Sequence, residues 1–325
     1  MIVVTGAAGF IASVVAARLN KDNFNDLILV DDFSRKERER NYSGLKYTKL
    51  VHRDEFMQWF DDNHGQVEFV IHLGARSATT EFDYSVLERL NTQYTKDVWT
   101  RCAKYGIGLI YASSAATYGD GSLGYEDNHE VIYRLQPLNP YGKSKNEFDK
   151  WAVAHEKQPY FWAGLKFFNV YGPNEYHKGS MASVILHAFN QITKTGGMKL
   201  FRSHKEGIAD GHQSRDFVYV KDIAEVIMFL MQTRKNSGLY NVGTGKARTF
   251  LDLTKATFKA MGKPENITFI DTPEAIRDKY QYFTEANIQK LRAIGYDRPF
   301  TELEDGVNDY VTKYIINNDI YNGNN

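Results

Sequence analysis

The sequence predicts an α/β fold built on a doubly wound parallel sheet, with a smaller α/β lobe interleaved in the chain. Three observations predict it. Short, predominantly apolar runs at 2–4, 27–30, 67–73 and 108–112 alternate with helical patterns, as strands buried on both faces do. The first run passes directly into a glycine-rich turn, Gly6-Ala7-Ala8-Gly9, that opens a helix. After about Asn169 the strand–helix rhythm breaks in the manner of an insertion, and a strand at 218–220 marks its return.

Composition bounds the function. A chain of 325 residues is long enough for one large and one small domain. With 42% hydrophobic and 25% charged residues it has the make-up of a soluble globular protein. The 40 Lys and Arg balance the 40 Asp and Glu, so no global charge draws it to nucleic acid or an acidic membrane. The single cysteine, Cys102, rules out an intramolecular disulfide and a cysteine-rich metal site, and fits a reducing compartment. No apolar run is long enough to span a bilayer, and the start has no basic, cleavable leader, so a cytoplasmic location is expected.

Taking the chain in order, Gly6 permits a tight turn, Gly9 lets backbone approach a pyrophosphate at a helix N-terminus, and Ala12 packs helix on strand. Such a turn is also a common structural device. Context favours binding, because the second strand ends in Asp31-Asp32, about 20 residues on, where an acid meets an adenosine ribose. Arg35, Lys36 and Arg38 follow at once. The acid argues for NAD and the cations for the extra phosphate of NADP, so the charges alone leave the choice open. A short helix is expected near 54–60. The third apolar strand ends in Gly74-Ala75-Arg76-Ser77, where a cofactor can approach backbone. A helix over 86–104 holds Asn91, either a cofactor-side hydrogen-bonding group or a solvated residue. The strand at 108–112 runs into Ser113-Ser114-Ala115-Ala116-Thr117-Tyr118-Gly119. This places a serine where open α/β sheets hold ligands, although paired serines also make ordinary turns.

Pro137 and Pro140 then introduce a helix opening at Tyr141, with Lys145 one turn further on. Residues at i and i+4 share a helix face, so phenol and ammonium address one small volume. A free tyrosine has a pKa near ~10, and a fixed cation favours its phenolate. Tyr42 and Lys46 repeat the spacing in a polar stretch without helical pattern, so position after five strand–helix steps, not spacing, singles out Tyr141.

Further on, His177-Lys178-Gly179 precedes a helix whose apolar side holds Val184, Ile185, Ala188, Phe189 and Ile192. Ser180 is the expected N-cap, which puts Lys178 near a positive helix end that, with burial, lowers its pKa. The residues leave two roles for Lys178, phosphate binder or base. The stretch 201–217 carries Arg202, His204, Lys205, His212 and Arg215, suited to a diphosphate or to a solvated loop. Asp222 is the expected N-cap of a helix over 223–231, a strand follows at 239–242, Thr249 and Asp252 form a capping box, and 322–325 reads as a frayed end.

GAAGFIA, SSAATYG and YGKSK, in that order and spacing, resemble the extended short-chain dehydrogenase/reductase superfamily, built on a Rossmann-type sheet. The resemblance implies that Ser114 orients a substrate hydroxyl, Tyr141 moves its proton, and Lys145 holds the nicotinamide ribose and lowers the tyrosine pKa. KFFNVYGP at 166–173, HKGSMAS at 177–183, RDFVYV at 215–220 and YQYFT at 280–284 are similar to the ADP-L-glycero-D-manno-heptose 6-epimerase family. This resemblance tips the cofactor to NADP, with NAD possible, and makes Lys178 a second acid/base. It implies cofactor contacts from Gly6, Gly9, Phe10, Ile11, Asp31, Asp32, Lys36, Arg53, Leu73, Gly74, Ala75, Arg76, Ser77, Asn91, Lys145, Val170 and Lys178. It implies substrate contacts from Ser114, Asn169, Ser180, His187, Phe201, Arg215 and Tyr280, and no metal.

The implied reaction is inversion of C6 in an ADP-heptose for lipopolysaccharide inner-core synthesis. A carbon without an acidifying neighbour cannot invert by simple deprotonation, but oxidation and hydride return to the other face would do it. The implied assembly is a homo-oligomer, a homopentamer by resemblance, with no nucleic-acid or membrane partner. The expected division is 1–168 plus 216–262 for a dinucleotide-binding domain and 169–215 plus 263–325 for a substrate-binding domain. Two other readings remain. One is a UDP- or dTDP-hexose 4-epimerase or dehydratase, the latter disfavoured because Ala115-Ala116, not an acid pair, follows Ser114. The other is a non-catalytic dinucleotide-binding relative, disfavoured by the presence of Ser114, Tyr141 and Lys145 together.

Overall fold

The structure, a computed structural model, describes residues 1–79, 81–277 and 280–323, without the side chains of 275 and 276. Positions 324 and 325 of the expected frayed end lie outside the described residues. The first strands are β1 (Ile2–Thr5), β2 (Leu27–Asp31), β3 (Lys49–His52), β4 (Phe69–His72), β5 (Gly108–Ser114) and β6 (Trp162–Phe167). After them come β7 (Asn169–Tyr171), β8 (Met198–Phe201), β9 (Ser214–Arg215), β10 (Phe217–Tyr219), β11 (Gly238–Val242), β12 (Arg248–Thr249) and β13 (Ile267–Ile270). Seven strands form one parallel sheet in the order β11-β6-β5-β4-β1-β2-β3. The order reverses between β1 and β4, and the crevice beyond their C-terminal ends is where such sheets hold ligands. The remaining strands pair in twos, β7 with β10, β9 with β12 and β8 with β13.

Helices α1 (Phe10–Lys21), α2 (Phe56–Asn63), α3 (Tyr84–Leu87), α4 (Tyr94–Tyr105) and α5 (Pro140–Ala154) belong to the first half. Then come α6 (Val184–Thr195), α7 (Val220–Thr233), α8 (Phe250–Ala260), α9 (Glu274–Arg277), α10 (Gln289–Ala293) and α11 (Leu303–Asp309). Strand side chains alternate between faces, and the core divides accordingly. Val4, Leu29 and Ile71 join Val15 and Leu19 of α1 and Ile223 and Ile227 of α7. Val3, Ile28 and Val70 join Phe56, Val98, Trp99 and Phe148 of α2, α4 and α5. A third cluster, Ala188, Ile192, Met198, Leu200 and Phe258, holds the smaller lobe; here α8, from the segment assigned to the dinucleotide-binding domain, packs on α6 and β8.

Several helix ends differ from expectation. The helix expected at 86–104 is compound: α3 and α4 are joined through a wider π turn, Glu88–Gln93. Helix α5 opens at Pro140, one residue early, with Pro at the first position and Asn139 accepting from the Gly142 N–H at 2.8 Å. Asp222 is not an N-cap; α7 already runs from Val220, and Asp222 accepts from the Thr301 N–H and hydroxyl instead. The N-cap of α6 is Ser183, not Ser180. The capping box of Thr249 and Asp252 is present. None of the described helices is long and apolar enough to cross a membrane.

Candidate active site

A cleft of about 630 Å³ opens at the C-terminal ends of β1, β2, β4 and β5, within the ~300–1,000 Å³ usual for small-molecule sites. Its floor is the glycine-rich turn. Gly6 has φ of 71°, donates its N–H to Val30 at 2.8 Å, and leaves no room for a Cβ, which would stand 2.7 Å from Gly74 Cα. Helix α1 begins after Gly9 with no side-chain cap and no acid in its first turn. Its leading N–H groups have no acceptor within the helix, and the helix end is positive. Gly9, Phe10 and Ile11 line the cleft here, so this uncapped end fits a dinucleotide pyrophosphate.

Carboxylates and guanidiniums meet at one end of the cleft. The buried Asp31 accepts from the Ala8 N–H at 3.0 Å and the Asp32 N–H at 2.7 Å. Burial pushes its carboxyl up; those N–H groups, then Arg38 and Arg53, pull it back. Arg38 lies 3.9 Å from Asp31, while Arg53 and Arg35 lie 3.7 and 4.0 Å from Asp32. Lys36 is exposed and outside the lining; Arg35 and Arg38 stand there in its place. The segment Lys36–Asn41 is a 3₁₀ turn with the exposed Arg35 at its entrance, and within the turn it is Arg38, not Lys36, that is half-buried toward the cleft.

Along the opposite wall run Leu73, Gly74, Ala75, Arg76 and Ser77. Asn91 is not in the lining. It is buried behind the wall, where its amide accepts from Arg76 N–H at 2.8 Å and donates to Arg76 C=O at 3.0 Å and Ser144 Oγ at 3.1 Å. The π turn sets it in register with that backbone. Thr5 Oγ1 accepts from the Gly74 N–H at 3.2 Å and lies 2.6 Å from His72 Nδ1; His72 Nε2 lies 3.0 Å from Thr95 Oγ1.

Ser114, Tyr141 and Lys145 all line the cleft. The expected lowering of the tyrosine by the lysine is not found. Burial pushes the Tyr141 phenol up, the adjacent Ser114 hydroxyl pulls it back, and Asp149 adds to the rise. Lys145 instead donates to the Ala112 carbonyl at 2.8 Å. Burial lowers it to about 8, against the field of Asp149. At neutral pH the phenol is therefore neutral and the lysine mostly cationic.

Lys178 faces the cleft from the smaller lobe. It sits in the 3₁₀ turn Tyr176–Met181, one turn before α6, with Nζ 5.0 Å from the centre of the Phe10 ring. Burial lowers it, opposed by Glu175, so desolvation and not a helix end is the cause. Asn169 and Val170 of β7 also line the cleft. So does His177, which burial lowers to about 4; its neighbourhood to Lys178 was the available signal. His177 Nδ1 lies 3.3 Å from the Asn41 amide, which donates to Ala8 and Asn174 carbonyls at 3.1 Å each. The fully buried Asn174 donates to Ser13 Oγ and exchanges two hydrogen bonds with the Tyr321 backbone, at 2.8 and 3.1 Å. Ser180 and His187 are exposed and outside the lining; His187 Nε2 lies 3.3 Å from the Ser180 carbonyl.

Phe201, Arg215 and Tyr280 form a separate cluster. The buried Arg215 guanidinium lies between the rings of Phe250 and Tyr280, 5.6 and 5.5 Å from their centres, and Phe201 meets Tyr280 edge-on. Arg215 also donates to the Gln281 carbonyl, and the Gln281 amide donates to Gly119. The cluster is thereby tied to the Ser114–Gly119 segment. Among the described residues no group of three or more His, Cys, Asp or Glu stands close enough to hold a metal ion.

The sequence profile of the NAD dependent epimerase/dehydratase family matches residues 2–243. The ADP-L-glycero-D-manno-heptose-6-epimerase of Fusobacterium nucleatum is 47% identical over 99% of this chain and all of its own length. That of Nitratidesulfovibrio vulgaris is 50% identical over 97% of this chain and 98% of its own. Among solved structures, the Helicobacter pylori ADP-L-glycero-D-manno-heptose-6-epimerase superposes with a TM-score of 0.81 at 27% identity, over 95% of this chain and 94% of that one. The chain belongs to the NAD dependent epimerase/dehydratase family and, within it, to the ADP-L-glycero-D-manno-heptose-6-epimerases.

Proposed function

We propose that the chain interconverts ADP-D-glycero- and ADP-L-glycero-manno-heptose by oxidising C6 and returning hydride to the opposite face, in the cytoplasm, for the lipopolysaccharide inner core. One observation carries the reading: two proton-transfer groups shifted in opposite directions, Tyr141 upward and Lys178 downward, line one cleft from different lobes. Groups whose environments push their pKa values apart divide into acid and base. The bound nicotinamide dinucleotide supplies a reversible hydride acceptor. Removing hydride from C6 requires a base for the hydroxyl proton, and Lys178 takes it in one direction. Reduction of the resulting ketone from its other face requires a proton on oxygen, and Tyr141, neutral at rest, gives it. The reverse direction exchanges the two roles. Ser114 orients the C6 oxygen at the end of β5, and Lys145 holds the nicotinamide ribose with donors beyond the one given to Ala112.

The cofactor is NADP in this reading, with Arg38, Arg53 and Arg35 around the 2′-phosphate and Asp31 fixing the turn beneath it. The segments 1–168 and 216–262 serve the dinucleotide, 169–215 and 263–325 the sugar nucleotide, with Arg215 and Tyr280 on its diphosphate side. The working form is a homo-oligomer, a homopentamer by resemblance to the family. The test is incubation with ADP-D-glycero-β-D-manno-heptose and NMR of the C6 configuration. Inversion is expected, reduced at least about 100-fold in Tyr141→Phe and in Lys178→Met, the usual scale of a lost acid or base. No inversion alongside turnover of a UDP-hexose would overturn the substrate, and wild-type turnover in both variants the mechanism.

A further inference from the structure

One residue closes the turn that carries Lys178. Glu175 stands at its start and has 0% of its surface exposed. Its backbone carbonyl accepts the Lys178 N–H at 2.9 Å. Its carboxylate reaches to the far end of the turn, where one oxygen accepts the Ser183 N–H and the other the Ser183 hydroxyl, both at 2.6 Å. Ser183 is also the N-cap of α6, its Oγ accepting from Leu186 N–H at 3.4 Å. Between these ends the chain reverses at Gly179, with φ of 55° and ψ of −126°. The turn is therefore tied at its base by a buried charge, and α6 is docked onto the same tie.

A fully buried carboxylate is costly unless hydrogen-bonded and balanced by a cation. The hydrogen bonds are those of Ser183, with the Tyr310 phenol also bearing on the carboxylate; the cation whose field reaches it is Lys178. The influence is mutual, because Glu175 is the one charge opposing the effect of burial on Lys178. The other groups around the pair do not supply that balance. His177, on the same turn, is neutral near pH 7 because burial lowers it to about 4. Arg38, from the 36–41 turn, acts on His177 and is directed to Asp31. The phenols of Tyr176 and Tyr310 are held protonated by burial. The Phe10 ring offers Lys178 only its face.

We propose that Glu175 is the positioning residue of Lys178, holding the amine at the cleft wall by its tie to Ser183 and by its charge across the turn. The proposal rests on Lys178 as the second proton-transfer group. Glu175 itself touches no substrate; without its tie the turn is free to carry the amine away from the sugar carbon.

Glu175→Gln separates charge from shape. The amide accepts the Ser183 N–H through its oxygen and donates to Ser183 Oγ through its nitrogen, so the tie survives without the charge. In the holoenzyme with ¹³C-methylated lysines, and with the Lys178 signal assigned by its loss in Lys178→Met, the Lys178 titration in Glu175→Gln is expected to move down by at least about one pH unit. kcat is expected to fall about tenfold or more, with the substrate KM within about threefold. An unshifted titration overturns the proposal whatever the activity, since this readout does not depend on Lys178 being catalytic. Wild-type turnover in Lys178→Met, by contrast, removes the catalytic reading and leaves the titration as the measure of Glu175. Ser183→Ala keeps the charge and breaks one arm of the tie. It is expected to lower kcat with the titration in place, and wild-type kcat there overturns the geometric part.

Discussion

Arg38 shows how a single guanidinium can decide cofactor choice. It stands 3.9 Å from Asp31, whose carboxylate is already committed to the Ala8 and Asp32 N–H groups. A cation beside an occupied carboxylate is free to take a phosphate as well. Arg38→Ala should therefore weaken NADPH binding about tenfold or more while changing NADH binding less than about threefold, as read by nucleotide fluorescence titration. His72 makes a prediction about pH. The Thr95 hydroxyl donates to the Asn91 carbonyl, so it accepts from the His72 Nε2–H, and Nδ1 accepts from the Thr5 hydroxyl. Burial lowers this histidine from 6.5 to about 3. As pH falls below 6.5 the unfolded chain takes the proton and the folded one does not. Stability is thus lost at about 1.4 kcal/mol per pH unit down to about 3 and is unaffected above 6.5. Urea melts at stepped pH should show that slope in the wild type and its loss in His72→Gln. At this scale the sequence was readable where a residue's position follows from its place on a strand or helix, as with Ser114, Tyr141 and Lys145, which all line the cleft. It was not readable where an irregular turn decides which way a side chain points. Lys36 and Arg38 are equally cationic in sequence, and only the 3₁₀ turn separates them. Ser180 and Ser183 are equally good caps, and the buried Glu175 selects the second.

Among elements, the π turn Glu88–Gln93 has the clearest functional consequence. Its six residues interrupt what the pattern read as one helix, and they bring the Asn91 amide against the backbone of Arg76. Such turns inside helices are common at functional sites. Asn91→Leu removes two donors and an acceptor from behind the wall and leaves the Arg76 backbone N–H and C=O without those partners. It should weaken cofactor binding about tenfold and cost roughly 1–3 kcal/mol in a urea melt, with Ser114 and Tyr141 still in place. Helix α1 was legible because an apolar strand and a glycine turn lead straight into it, and α5 because Pro140 marks its first turn. The π turn was not, since an extra residue in a helix leaves the hydrophobic period nearly unchanged.

At the scale of the molecule, the buried pair of Lys166 on β6 and Asp149 on α5 joins strand to helix beneath the site. Its 2.7 Å contact is wholly excluded from solvent, with Thr117, Tyr111 and Ser113 completing its hydrogen bonds. Removing one partner of such a pair strands the other charge. Lys166→Met should lose about 3–5 kcal/mol in equilibrium unfolding, and Lys166→Met with Asp149→Leu should recover more than half of it. The centre of the sheet could be read from its apolar strands, since β1, β2 and β4 are buried throughout, whereas the half-exposed edge strand β3 gives no such run. The separation of Arg215 and Tyr280 from the main cleft could not, because it depends on aromatic packing between segments far apart in sequence. The Asn174 joint has a consequence in time as well as in space. A chain emerging from the ribosome can complete its seven-stranded sheet once residue 242 is free, but the amide beside the Lys178 turn meets its Tyr321 partner only some eighty residues later. A chain halted before that point would hold a finished sheet beside an unfinished site, so catalytic competence is among the last properties the protein acquires as it is made.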